Sequence, residues 1–172
     1  QLEFFNYHST LAYDILGHGK SSLEKKEITF DDFSEQLIEL MNHLNIKKIH
    51  LVGFSIGSLI ARNFATKFND RLQSLVLLGS IYKRTEEQQK IVNQRFEQAK
   101  QELKLSKQAL KRWFTDKYLE NNPKIYEKIS SILSANNMNN FLKVYELFVK
   151  HKNDEDFNKI TASTLVMTGE YD

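Results

Sequence analysis

The apolar run Ile49-His50-Leu51-Val52 passes directly into Gly53-Phe54-Ser55-Ile56-Gly57, after which apolar side chains recur at 56, 59, 60, 64 and 68. The pattern is that of a short buried strand before the pentapeptide and of a helix after it, so the chain must turn sharply at Ser55. A serine on such a turn is held in a strained backbone conformation, and small residues two before and two after it let strand and helix approach closely. Gly53 and Gly57 meet that requirement. With six glycines and thirteen serines in 172 residues, a G-x-S-x-G arises by chance about 0.02 times, so the motif is not a compositional accident. Ser55 is therefore the candidate nucleophile. The turn opens a helix, which aims the backbone N–H of Ile56 at an oxyanion formed on a carbonyl attacked by Ser55.

Composition narrows the alternatives. A hydrophobic content of 41% over 172 residues suffices for one domain with a real core. Lys plus Arg exceed Asp plus Glu by only two (24 against 22), and the basic stretch from Lys83 to Arg112 is interrupted by Glu86, Glu87, Glu97 and Glu102. That pattern is a solvated helix face rather than a nucleic-acid surface. The chain has no cysteine, which excludes disulfides, thiolate metal sites and a cysteine nucleophile and suits a reducing, cytoplasmic setting. The five histidines lack metal-ligand spacing, and no apolar run approaches the roughly 18 residues of a membrane span. No nucleic-acid, membrane, metal or organic cofactor partner is expected. Oligomeric state is not encoded in any readable pattern.

Along the chain, Ser9 to Leu16 reads as a strand ending at Gly17-His18-Gly19, and Thr29 with Asp32 as a capping box for a helix carrying Phe33, Leu37, Leu40, Met41 and Leu44. Strand 48–53, the helix after Ser55 and strand 75–78 follow. Strands separated by helices of this length pair in parallel through crossovers, which makes the fold class α/β. From about Thr85 to Asn158 only helical patterns occur: Ile91/Val92/Phe96/Ala99/Leu103, Leu110/Trp113/Phe114, Ile125/Ile129/Ile132/Leu133 and Phe141/Val144/Tyr145/Phe148. Thr164 to Thr168 is again a buried-strand run. The expected division is 1–82 with 159–172 as the α/β core and 83–158 as a helical cap, whose aromatic residues mostly pack the insertion on itself. All six glycines fall near the C-terminal ends of expected strands, the edge where parallel sheets build their sites.

Other chemical candidates are weaker. Gly19-Lys20-Ser21 imitates the end of a phosphate loop, but the first glycine of that motif would fall on Asp14 and no helix opens at Ser21. A serine nucleophile needs a base, usually histidine, oriented by a carboxylate. Glu170 and Asp172 follow the last strand and are the carboxylate candidates. His8, His18, His43, His50 and His151 are none of them well placed as the base.

Taken together, these residues resemble the α/β-hydrolase superfamily. Asp14-Ile15-Leu16-Gly17-His18-Gly19-Lys20-Ser21 is similar to its D-x-x-G-x-G-x-S loop, Gly53 to Gly57 to its nucleophile elbow, and Thr164 to Asp172 to its T-L-V-x-x-G-E-x-D acid strand. Arg112-Trp113-Phe114-Thr115 with Asn122-Pro123 resembles the cap of 3-oxoadipate enol-lactonases and their relatives. The resemblance implies a partial α/β-hydrolase fold with a parallel sheet, flanking helices and a helical cap. It implies Ser55 as nucleophile, Asp172 as the triad acid, Ile56 N–H in the oxyanion hole, and Phe54 and Trp113 at the substrate. The implied activity is hydrolysis of small carboxylic esters or lactones through an acyl-enzyme. Carbon–carbon bond hydrolases, haloperoxidases and non-catalytic receptors share the fold, whereas epoxide hydrolases typically carry aspartate where Ser55 stands. Ser163 replaces the proline common before the acid strand. The family's second oxyanion amide comes from a strand preceding the position of Gln1, and its histidine follows the acid. The chain is thus expected to be an internal fragment of a larger hydrolase, inactive by itself.

Overall fold

The computed structural model describes residues 7–102, 110, 113–152 and 157–170; Arg112 and Asp172 lie outside them. Helix α1 (Phe30–His43) starts as its sequence dictates: Thr29 donates from its backbone N (2.7 Å) and Oγ1 (2.8 Å) to Asp32 Oδ2, which ties the first turn. Strand β1 (Ile49–Phe54) leads through the Ser55 turn into α2 (Ile56–Lys67), and a 3₁₀ turn at Asn69–Arg71 delivers the chain to β2 (Leu72–Leu78).

Helices alone separate β2 from the next strand among the described residues: α3 (Glu86–Glu102), α4 (Asp116–Asn121), α5 (Pro123–Ser134) and α6 (Met138–Lys150). Thr115 and Asn137 cap α4 and α6 by accepting from Tyr118 N and Asn140 N, and Pro123 opens α5 where a missing N–H costs nothing. After a 3₁₀ turn at Phe157–Lys159, β3 (Ser163–Met167) closes a three-stranded parallel sheet of order β1-β2-β3. The three strands end at one level, with Phe54 opposite Leu78 and Leu78 opposite Met167.

The core lies on one face of this sheet. Leu37 and Met41 of α1, Ala61, Phe64 and Ala65 of α2, and Leu72, Leu75 and Leu77 of β2 form a continuous buried cluster. A second cluster joins Leu23, Ile28, Phe33 and Ile60 to Val144 of α6, so the helical segment is packed into the body of the molecule rather than tethered to it. Tyr13 packs against the first cluster, and burial pushes its phenol up to about 12.

Two expectations are corrected. Residues 9–15 form no ladder. The backbone at the end of this stretch is bound locally and by α1 instead: Asp14 O accepts from Ser21 Oγ (2.6 Å) and Gln36 Nε2 (3.1 Å), Ile15 O accepts from His18 N (3.0 Å), and Leu16 N donates to Gln36 Oε1 (3.1 Å). A strand is defined by its pairing partner, and none of the described residues offers one here. The expected buried strand at 164–168 is a strand, but not a buried one: β3 is exposed along its whole length, including Leu165, Val166 and Met167. It sits at the sheet's edge, while the main core is built on α1, α2 and β2.

Candidate active site

The turn between β1 and α2 is where backbone strain concentrates. Ser55 has φ 53° and ψ −121°, a conformation that costs a non-glycine residue about 1–3 kcal/mol. It is held there from both sides: Ser55 N donates to Leu78 O of β2 (3.0 Å), while Ser55 O accepts from Ser58 N (2.9 Å) and from the buried Ser58 Oγ (2.5 Å). The Ser55 side chain is exposed, and among the described residues no hydrogen bond engages its hydroxyl. The amide of Ile56 lies in the first turn of α2, where a helix leaves its N–H groups without intrahelical acceptors.

The two glycines of the motif are not equivalent. A Cβ at Gly53 would overlap the Gly57 carbonyl group and lie 2.8 Å from Ser58 Cα, whereas a Cβ at Gly57 would meet nothing within 4 Å. Among the described residues, close approach of strand and helix therefore requires glycine at 53 and not at 57, which corrects there the expectation that both positions must be small. The direction of the Cα–Cβ bond decides this, and at Gly57 it leads into open space.

The loop at 14–21 behaves differently. The Asp14 carboxylate occupies the space a side chain at Gly19 would need, with Oδ1 2.6 Å from that Cβ position, and it accepts from Lys20 N at 2.9 Å. Ser21 Oγ is bound to Asp14 O. A phosphate loop needs its amides free for the anion, and here a carboxylate of the same loop already occupies one. Gly17 (φ 78°) lies against Leu23 and against Asn140 of α6, so a side chain there would be strained and would crowd both.

The histidines lie away from the Ser55 hydroxyl. His50 Nδ1 lies 2.7 Å from Ser74 Oγ, and its ring is 6.2 Å from that of His8. His43 is in the last turn of α1. His151 follows α6 with its ring 5.6 Å from Phe30. His18 has Nδ1 3.3 Å from Leu16 O and meets the edge of Phe141 at 6.3 Å. None is hydrogen-bonded to Ser55 among the described residues, and no three His, Asp or Glu side chains there converge as metal ligands. Glu170 is exposed beyond β3. Because the strands end in register, the end of β3 stands two strand spacings, about 10 Å, from the Ser55 turn.

Phe54 (68% exposed) and Trp113 (55% exposed) are both open to solvent. Most other aromatic residues of the helical segment pack on one another, as expected: Phe96, Phe141, Tyr145 and Phe148 form a chain of ring contacts at 5.5 to 6.1 Å, and Phe114 stacks on Tyr118. A cleft of about 1490 Å³ between α3 and the end of α6, lined by long polar and charged side chains, takes no wall from residues 53–57. Its Arg84, whose pKa burial pushes down, is committed to Phe148 O (2.9 Å) and His151 O (3.2 Å).

Sequence reasoning missed two residues that organise this rim. Gln36, on α1, ties the 14–21 loop, and Arg62, on α2, is buried beside the chain crossings that flank the helical segment. An arginine within the apolar run Leu59-Ile60-Ala61-Arg62-Asn63-Phe64 was the available signal for the second; nothing marks Gln36.

Comparison with known proteins matches residues 5–119 to a family model described as alpha/beta hydrolase fold. The chain is 29% identical over 172 residues to the (E)-2-((N-methylformamido)methylene)succinate hydrolase of Acinetobacter baylyi, covering 98% of this chain and 65% of that protein. It is 25% identical over 173 residues to 3-oxoadipate enol-lactonase 2 of the same organism, covering 100% of this chain and 65% of that protein. The crystal structure of the enol-lactonase from Burkholderia xenovorans LB400 superposes with a TM-score of 0.79 at 23% identity, over 92% of this chain and 61% of that one. The chain thus spans just under two thirds of the length of these relatives.

Proposed function

Because the chain belongs to the alpha/beta hydrolase family, we propose that it carries the nucleophile of a serine hydrolase acting on small carboxylic esters or lactones. The observation behind this reading is the Ser55 turn: a non-glycine residue strained at φ 53°, pinned by β2 and by Ser58, with its hydroxyl exposed. Strain kept at one exposed serine is a mark of a residue positioned for chemistry.

In this reading Ser55 Oγ attacks the substrate carbonyl while a histidine takes its proton, and Ile56 N–H stabilises the oxyanion. Collapse of the tetrahedral species expels the alcohol, or opens the lactone, with the proton returned by that histidine. Water then repeats the sequence on the acyl-enzyme and releases the acid. Asp172 would orient the imidazole, which a gap of about 10 Å between the end of β3 and Ser55 leaves room to accommodate. That histidine is assigned to sequence outside these 172 residues, so the chain by itself should show little turnover. Residues 1–82 and 159–172 form the core in this scheme and 83–158 the cap, with Phe54 and Trp113 offering apolar surface to the substrate. The enol-lactonase among the relatives supports a lactone or ester substrate.

The test is turnover of p-nitrophenyl acetate by the full-length protein and its Ser55→Ala variant. A fall in kcat of about a thousandfold or more is expected; undiminished turnover would remove Ser55 from the mechanism.

A further inference from the structure

Arg62 stands seven residues after Ser55 on the same helix and is 2% exposed. Burying a guanidinium is expensive, and an aliphatic side chain would fill the space at lower cost unless the charge is used. Here it meets both chain crossings of the helical segment. Arg62 Nη1 donates to Ile81 O at 2.5 Å and reaches Ser80 Oγ at 3.5 Å, immediately after β2 on the outgoing crossing. Its Cζ lies 4.4 Å over the ring of Phe157, which opens the 3₁₀ turn on the returning crossing. Tyr82 and Phe157 bring the two crossings together, with ring centroids 5.6 Å apart. A planar guanidinium can donate to a carbonyl in its plane while stacking on an aromatic face, which an ammonium or a methylene chain cannot do.

We propose that Arg62 is a positioning residue, a two-point anchor that fixes both hinges of the helical segment to the helix beginning at the Ser55 turn. Together with the packing of Val144 against Ile60, the anchor limits how far that segment can swing relative to Ser55, and its significance for catalysis rests on the reading of 83–158 as a cap over a Ser55 nucleophile. Two neighbouring devices have separate tasks. Asn69 Oδ1 accepts from Thr161 N (3.0 Å) and Ala162 N (3.1 Å), which docks the start of β3 independently of Arg62. Arg84 binds carbonyl groups at the end of α6 and so braces the helical segment internally. Loss of Arg62 should accordingly free the hinges while leaving the sheet assembled.

Hydrogen exchange read by mass spectrometry on the full-length protein, in wild type, Arg62→Met and Phe157→Leu, tests this. Amides in 80–85 and 157–160 should exchange about tenfold faster in both variants, with α1, β1 and β2 unchanged. The KM for a long-chain p-nitrophenyl ester should rise about fivefold, while kcat for p-nitrophenyl acetate stays within about twofold. Unchanged exchange at the hinges, or acceleration spread equally over β1 and β2, would overturn the proposal and leave Arg62 as core filling. If Arg62→Met does not fold, Phe157→Leu decides, since that ring is 38% exposed and its truncation leaves the main core intact. The exchange readout needs no activity, so it is independent of the Ser55→Ala result that tests the catalytic reading.

Discussion

Two glycine-bearing turns, residues 14–21 and residues 53–57, use glycine for opposite ends. In the first, glycine makes room for the loop's own polar groups: the Asp14 carboxylate folds over Gly19, and Ser21 binds back to Asp14. In the second, glycine at 53 lets a helix close onto a strand, and the Ser55 side chain is exposed with no hydrogen-bond partner for its hydroxyl among the described residues. Both contain a serine and both resemble motifs that do chemistry. What separates them is the serine hydroxyl: among the described residues Ser21 Oγ is bound within its own turn and Ser55 Oγ is not.

The sharpest break in this comparison is Gly53→Ala. The new methyl would overlap the backbone at Gly57, which cannot yield without opening the turn, so a loss of about 3 kcal/mol in urea unfolding of the full-length protein is expected. Gly57→Ala, four residues away in the same motif, meets open space inside α2 and should change stability by no more than about 1 kcal/mol, in the stabilising direction. Equal losses at the two positions would contradict the asymmetry. Gly19→Ala should fall between them, near 1–2 kcal/mol, because φ 52° strains any side chain and Asp14 must move. Repeating it in an Asp14→Ala background should return part of that loss, and strict additivity would show that the carboxylate does not close the loop.

The smallest effect is electrostatic and lies outside both turns, at the N-terminus of α1. Burial pushes the Asp32 carboxyl up, but hydrogen bonds from Lys25 and Thr29 outweigh it and hold the group below its ordinary 3.8. Asp31 is held below the same value chiefly by Lys67 at 2.6 Å, with Asn63 adding to it. A depressed carboxylate stabilises the fold above its unfolded pKa and loses that contribution as pH falls through the folded value. Stability from the α1 N-terminus should therefore be level near pH 6 and decline below about pH 4. In Asp32→Asn part of that decline should be absent, which thermal melts followed by circular dichroism between pH 3 and 6 would register.

The sequence made some of this legible. Local chemistry did so best: the change of period at Ser55 located β1 and α2, and the Thr29/Asp32 spacing located α1, because each depends on residues within a turn of one another. Residues 9–15 look like a strand by composition, but pairing is a property of the neighbour, and the backbone at Asp14 and Leu16 is claimed by Gln36 and Ser21. The apolar run of β3 implied burial that its edge position does not give. The unequal demands at Gly53 and Gly57 follow from Cβ directions that spacing does not encode. Of the candidate site, Ser55 and Ile56 could be placed from sequence because the turn carries them together, whereas the clamp made by Arg62 joins three segments distant along the chain.

The sheet's connectivity also divides the entropic cost of assembly unevenly. β1 and β2 are joined by one helix and a short turn, so pairing Val52 with Val76 closes a small loop. β3 reaches β2 only after the entire helical segment, since Leu75 must find Thr164. Closure entropy grows with the length of chain enclosed, so the larger share falls on the third strand. The strained serine is thus secured by the most local part of the ladder, through the carbonyl of Leu78.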